Sequence, residues 1–136
     1  MSKGFFYYKR TVAVDFDGVI HSFNTPWNPE RGVSFVPDPP NENAIQTLLH
    51  YLDAGHTVCI FSVRNRWWRG RRAMKKWLKK HYNELYGSGG NSFVKRLKFP
   101  WFKPHAHILI DDRVFCFRGV FPTLQEIENF RPWNKI

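Results

Sequence analysis

Residues 11–20, TVAVDFDGVI, contain the strongest structural signal in the sequence. Their β-branched and apolar opening, TVAVDF, predicts a buried β-strand over residues 11–16. Asp15 and Asp17 stand at the carboxyl end of this run, and Gly18 follows directly, where a tight turn is expected. The stretch therefore predicts a strand that carries two carboxylates to one edge of a sheet.

Two later apolar runs repeat this arrangement. TVCIF, residues 57–61, is followed by Ser62, and HILI, residues 107–110, is followed by Asp111 and Asp112. The carboxyl ends of parallel strands meet at one edge of an open sheet, where ligands bind. We therefore expect these side chains and the two earlier carboxylates to share one crevice.

Amphipathic stretches separate the three apolar runs. Apolar residues recur at helical spacing up to Leu52, with Asp38-Pro39 as the expected start of the first helix and Gly55 just past its end. A second helical pattern covers residues 67–85. Strand, helix, strand, helix, strand implies a parallel sheet with right-handed crossovers.

The predicted fold class is α/β, as a single Rossmann-like domain with a parallel sheet and helices on both faces. The domain is expected to span residues 1–136, with its core over about 10–130 and no folded cap domain. A short strand or hairpin is expected at 114–117 and a closing helix at 123–129.

The four carboxylates predict a metal. Asp15, Asp17, Asp111 and Asp112 would repel one another strongly unless a cation lies among them. A ligand set of oxygens, with no Cys or His, favours Mg²⁺. Mg²⁺ is the usual partner of phosphate chemistry, so it is the predicted cofactor.

Four segments resemble the signature motifs of the haloacid dehalogenase (HAD) superfamily of phosphohydrolases. They are VAVDFDGVI (12–20), VCIFSVR (58–64), the Lys103-Pro104 stretch and HILIDD (107–112). The Ser-x-Arg of Ser62 and Arg64 and the final DD are similar to the phosphatase domain of bacteriophage polynucleotide kinase-phosphatase. The tail, DDRVFCFRGVFP with FRPWNK, is similar to small phage-encoded HAD proteins.

The resemblance implies phosphoric monoester hydrolysis through an aspartyl-phosphate intermediate. Asp15 would attack phosphorus, and Asp17 would protonate the leaving oxygen and then deprotonate the hydrolytic water. Ser62 would donate a hydrogen bond to a phosphoryl oxygen. Lys103 would neutralise the charge of the transferring group, with Lys98 as the alternative.

The same resemblance implies how Mg²⁺ is held. Its ligands would be Asp15, the backbone carbonyl of Asp17, and Asp111. Asp112 would be a further ligand or a residue that orients the others.

The positive charge of the chain lies in one segment. The formal net charge is +10, and residues 64–103 contain 13 of the 21 basic residues with Glu84 as their one acid. RNRWWRGRR, residues 64–72, interleaves arginines with two tryptophans, a combination that neutralises phosphates and stacks on bases. A solvated basic helix face is the alternative interpretation of the lysines at 75–80. The candidate substrate-binding residues are Arg64, Arg66, Trp67 and His21.

The loop at residues 21–40 is too short for a folded cap and is a candidate flap, so an open site is expected. Open sites accept polymers, which predicts a phosphatase of a nucleic-acid end. A phosphatase of small nucleotides or nucleotide-derived signals is the alternative within the same class. A catalytically silent nucleic-acid-binding module on a HAD scaffold is the alternative from another class.

The expected location is the cytoplasm, or the host cytoplasm for a phage-encoded protein. No apolar run approaches the length of a membrane span, and the N-terminal residues lack the pattern of a signal peptide. The two cysteines, Cys59 and Cys116, lie in apolar surroundings and are expected to be reduced core residues. No membrane partner is predicted.

Overall fold

The computed structural model describes residues 9–135 and contains a three-stranded parallel sheet in the order β2-β1-β3. The strands are β1 (Thr11–Val14), β2 (Thr57–Ile60) and β3 (Ile108–Ile110). Val14 pairs with both Ile60 and Ile110, so the three strands end at the same edge of the sheet. The predicted α/β class, with a parallel Rossmann-like sheet in a single domain, is confirmed.

The described residues form four α-helices, and each of the first two connects two strands. They are α1 (Ala44–Asp53), α2 (Trp68–Tyr86), α3 (Gly90–Arg96) and α4 (Leu124–Asn129). Short 3-10 turns lie at Gly32–Ser34, Val63–Arg66 and Trp133–Lys135. The helices predicted at 67–85 and 123–129 are confirmed as α2 and α4, whereas α3 was not expected from the sequence.

The first helix starts later than predicted. The Asp38 carboxylate accepts hydrogen bonds from the backbone N–H and the hydroxyl of Thr25, both at 2.7 Å. The Pro39 carbonyl accepts from the backbone N–H of Ser22 at 3.0 Å. Asp38-Pro39 is therefore fixed as loop, and its prediction as a helix start is wrong, whereas Gly55 does follow the helix with a φ of +93°.

One hydrophobic core joins the sheet to the helices. Three consecutive residues of β1, and three of β2, are buried. Successive side chains of a strand point to opposite faces, so both faces of the sheet are covered at these two strands. Val14 and Ile60 pack in one cluster with Leu48 of α1 and Met74 of α2. The edge strand β3 is less protected, because Ile108 is 50% exposed.

The chain after β3 is largely exposed. Within residues 9–135, no strand follows β3, so the strand or hairpin predicted at 114–117 does not form. Cys116 lies in this exposed segment, whereas Cys59 is buried, so the expectation of two core cysteines holds for Cys59 alone. Across the part of the chain that the structure describes, no helix combines the length and apolar character needed to span a membrane.

Candidate active site

Three carboxylates converge where the strands end. Asp15 directly follows β1, and Asp111 and Asp112 directly follow β3. Each offers an oxygen, and these oxygens lie within 4.8 Å of one another. The backbone N–H of Asp15 donates to the carbonyl of Ile110 at 2.8 Å, which ties the two strand ends together. Parallel pairing therefore brings together carboxylates that are far apart in the sequence.

The electrostatics of this group favour a bound cation. Burial, followed by the nearby charge of Asp111, raises the pKa of Asp15 to about 8. Burial also raises the pKa of Asp112. Oδ1 of Asp112 is buried and has no hydrogen-bond partner among the described residues. A buried, unpartnered carboxylate oxygen beside two other carboxylates fits a metal site, so the group has the ligand chemistry of a hard divalent cation.

Gly18 brings the turn after β1 against this group. Its φ is +85°, and a Cβ built there would collide with the carboxylate of Asp112. Gly18 also anchors the C-terminal tail, because its carbonyl accepts a hydrogen bond from Nε1 of Trp133 at 2.9 Å. The expectation of a tight turn at Gly18 is confirmed, and the space that glycine leaves is occupied by Asp112.

The fourth carboxylate, Asp17, points elsewhere. Its Oδ1 lies 2.8 Å from Nδ1 of His21, and its two oxygens accept from Nη2 and Nε of Arg64 at 3.1 and 2.9 Å. Burial opposes ionisation of Asp17, but the hydrogen bonds from His21 and Arg64 outweigh it and lower its pKa. The expectation that all four carboxylates form one cluster is wrong: three do, and Asp17 forms an ion pair with the buried Arg64.

The predicted position of Arg64 at the rim of the cleft is also wrong. Its side chain is 1% exposed. Besides the fork onto Asp17, Nη1 donates to the carbonyls of Val33 and Phe35 at 2.7 and 3.0 Å. Arg64 therefore holds Asp17 and the loop at 21–40 together and does not present a free guanidinium to a substrate.

His21, predicted as a residue that contacts substrate, is fully buried instead. The backbone N–H of Asp38 donates to its Nε2 at 3.0 Å. Since Nε2 accepts, the neutral ring carries its proton on Nδ1 and donates to Asp17. The hydrogen bonds of His21 thus position Asp17, and the ring does not face the crevice.

Ser62 lies at the crevice, as predicted, and it also caps the next turn. Its hydroxyl oxygen accepts from the backbone N–H of Arg64 at 3.2 Å, and its own N–H donates to Oδ1 of Asn65 at 3.1 Å. This reciprocal pair starts the turn at Val63–Arg66. The hydroxyl hydrogen is the atom of Ser62 that can be donated into the cleft.

A cleft of about 570 Å³ opens beside the carboxylates. Asp15, Asp111 and Ser62 line it, together with Arg66 and Trp67, so the structure brings these predicted site residues together. Four further lining residues were not predicted as site residues: Phe61, Val63, Trp101 and Arg113. Arg113 directly follows the DD pair, which was the one available signal, whereas nothing local distinguishes Trp101 from the other exposed aromatics.

The cleft does not include the predicted lysine. Lys103 is exposed, and among the described residues that line the cleft are neither Lys103 nor Lys98. Lys98 lies beside the middle of β2, where its N–H donates to the carbonyl of Val58 at 3.0 Å. The cationic side chains that do line the cleft are Arg66 and Arg113.

Comparisons with protein-family models, with curated proteins and with solved structures find no match to this chain. The fold and the site describe the protein as a small α/β domain. Its parallel sheet carries a group of three aspartates at the ends of its strands. That group has the ligand chemistry of a metal centre, and it lies where open α/β sheets bind ligands.

Proposed function

We propose that this protein is a Mg²⁺-dependent phosphomonoesterase of the HAD type. The observation that carries the proposal is the convergence of Asp15, Asp111 and Asp112 at the strand ends, beside a cleft that Ser62 also lines. The motif resemblance supplies the reaction class, and the unpartnered oxygen of Asp112 supplies the argument for a cation. Asp15, Asp111 and Asp112 would hold the ion.

Asp15 is the nucleophile in this proposal. Its carboxylate oxygen forms a bond to phosphorus while the bond from phosphorus to the ester oxygen breaks, and the departing alcohol takes up a proton. Water then cleaves the aspartyl phosphate and regenerates the carboxylate. Mg²⁺ held by Asp15, Asp111 and Asp112 would neutralise phosphoryl charge and keep the Asp15 carboxylate ionised. The Ser62 hydroxyl donates to a phosphoryl oxygen, and Arg113 or Arg66 supplies the cationic group assigned to Lys103.

Asp17 is the proposed acid and base, but hydrogen bonds to His21 and Arg64 hold its side chain. A carboxylate with a lowered pKa is a weak base towards water, and it is rarely protonated at neutral pH, so it seldom carries the proton that a leaving group needs. The acid–base role therefore requires the Asp17 side chain to leave Arg64 and His21 when substrate binds. The resemblance also implies that the backbone carbonyl of Asp17 is a metal ligand, a role that does not involve the Asp17 side chain.

The proposed substrate is a phosphorylated nucleic-acid end. Arg66 and Trp67 at the cleft begin the basic segment at 64–103, which continues along α2. Polyanion binding follows from such a segment through phosphate contacts. Phosphatase activity on a small nucleotide is the second candidate, because a cleft of about 570 Å³ has the size of a small-molecule site.

The test is phosphate release from phosphorylated oligonucleotides and mononucleotides, with Mg²⁺ and with a chelator. Asp15→Asn should lose turnover by several orders of magnitude while keeping its fold, since the nucleophile is gone. Asp53→Asn is the matched control, because Asp53 is an exposed carboxylate paired with Arg96. Phosphate release by Asp15→Asn at the wild-type rate would exclude this mechanism. Oligonucleotide binding with no turnover in any protein would favour the silent binding module.

A further inference from the structure

We propose that Trp67 and Trp101 form a stacking platform for the base of an unpaired terminal nucleotide whose phosphate lies at Asp15. The inference rests on the proposed function and specifies its substrate. Both rings line the cleft that Asp15 lines, and they are 49% and 66% exposed. These exposed indoles offer a large aromatic surface to a flat ligand, beside a site whose chemistry suits phosphate.

The position of Trp101 is built by buried hydrogen bonds. Asn65 is fully buried, and its Nδ2 donates to the carbonyls of Ile60 and Pro100 at 2.6 and 2.8 Å. This amide therefore fastens the residue before Trp101 to the end of β2. The platform is held by the same turn that positions Ser62.

Arginines support the platform. The guanidinium of Arg71 lies over the Trp101 ring at 4.5 Å from its centroid, and Arg71 also donates to the carbonyl of Asn65. The guanidinium of Arg66 lies 5.8 Å from the centroid of Trp67. A cation over the face of an indole is attracted by its π-electrons, which favours these ring orientations.

The cleft has two chemically different parts, which suit a ligand that carries both a phosphate and a flat aromatic group. Asp15 and Asp111, with a cation, suit a phosphate, and Arg66 and Arg113 add positive charge beside it. The indoles suit a flat π-system, and base stacking on aromatic side chains is tolerant of sequence. A base reaches such a ring only when it is not stacked and paired within a duplex. A single-stranded terminal nucleotide satisfies both requirements.

The experiment measures binding, so that it does not depend on turnover. The Asp15→Asn protein is titrated in Mg²⁺ with two 3′- or 5′-phosphorylated single strands of equal length and charge, one with a normal terminal nucleotide and one with an abasic terminal residue. The normal end should bind more tightly, by roughly 10-fold for one stacked base. Adding Trp67→Leu or Trp101→Leu should remove most of this advantage, whereas Trp101→Phe should keep much of it.

Trp68→Leu is the matched control, because Trp68 is 61% exposed and adjacent in sequence, and the cleft lining does not include it. It should leave the advantage of the normal end intact. Equal affinity for the normal and abasic ends, or an advantage that survives both Trp67→Leu and Trp101→Leu, would overturn the platform. A duplex end that binds as tightly as the single strand would overturn the requirement for an unpaired base. Absence of phosphatase activity would refute the proposed function and leave these binding results standing.

Discussion

The absence of a side chain at Gly18 leaves the space that the Asp112 carboxylate occupies. Gly18→Ala introduces a methyl group where the Asp112 carboxylate lies, at a φ of +85°. We expect Mg²⁺ affinity to fall by roughly 10-fold or more, because a ligand is displaced. The measurement is calorimetric titration with Mg²⁺. Gly55→Ala is the control, since Gly55 has a φ of +93° and open space around its Cβ position. Both variants should unfold more easily, by about 1 kcal/mol, and equal Mg²⁺ affinities would contradict the assignment.

Arg64 is predicted to matter for stability as well as for the site. Arg64→Met removes the fork that neutralises Asp17 and leaves this largely buried carboxylate with His21 as its one remaining side-chain partner among the described residues. We expect the free energy of unfolding to fall by about 3 kcal/mol, measured by urea denaturation. Arg96→Met is the control, because the ion pair of Arg96 with Asp53 is exposed and is worth at most about 1 kcal/mol. Equal losses of unfolding free energy in the two variants would contradict a larger contribution from the Arg64–Asp17 pair.

The pairing of Asp17 with Arg64 could not be predicted from the sequence. The sequence places Asp15 and Asp17 together at the carboxyl end of one strand, which predicts that both face the same cleft. The chain instead turns at Phe16, whose carbonyl accepts the backbone N–H groups of Ile20 and His21, both at 2.9 Å. That turn sends the second carboxylate toward a residue 47 positions away. A single sequence contains no signal for that partner.

At the scale of elements, the strands and their order of appearance could be predicted, because continuous apolar runs bounded by polar residues are typical of buried parallel strands. The position of polar residues directly after these runs also predicted that Asp15, Asp111, Asp112 and Ser62 lie at the strand ends. These patterns missed α3, which depends on packing: Gly90 lies so close to α2 that a Cβ would meet the carbonyl of Lys79. They also missed Trp101, whose place depends on the buried amide of Asn65. Tertiary contacts decided both.

The ends of β1 and β3 bring Asp15 close to Asp111 and Asp112. We therefore expect the effect of Mg²⁺ on the stability of the fold to depend on pH. Asp15 has a pKa of about 8 in the fold against 3.8 as its ordinary value, so the metal-free protein loses stability as pH rises between these values. A divalent cation replaces the proton and removes that loss. Mg²⁺ should therefore raise the melting temperature little at pH 5 and more at pH 9. Thermal scans at both pH values test this, and a larger shift at pH 5 would contradict it.

At the scale of the whole molecule, charge is separated along the chain. Residues 64–103 have a net charge of +12, and the rest of the chain has a net charge of −2. The exposed lysines of α2 continue the basic surface that begins at Arg66, while the acidic group of three lies at the strand ends. A polyanion that binds the basic segment would contact several cations, so its affinity should depend on salt.

Binding of a phosphorylated oligonucleotide should weaken steeply with salt, with a log–log slope of about −0.7 for each phosphate contacted. A mononucleotide makes fewer such contacts, so its slope should be shallower. Changing both Lys79 and Lys80 to Gln should flatten the oligonucleotide slope if α2 follows the strand, whereas Arg118→Gln, outside the basic segment, should not. Fluorescence anisotropy over a salt series measures all three proteins. Equal slopes for polymer and mononucleotide would show that recognition ends at the cleft, and the small-nucleotide activity would then be the better account of this site.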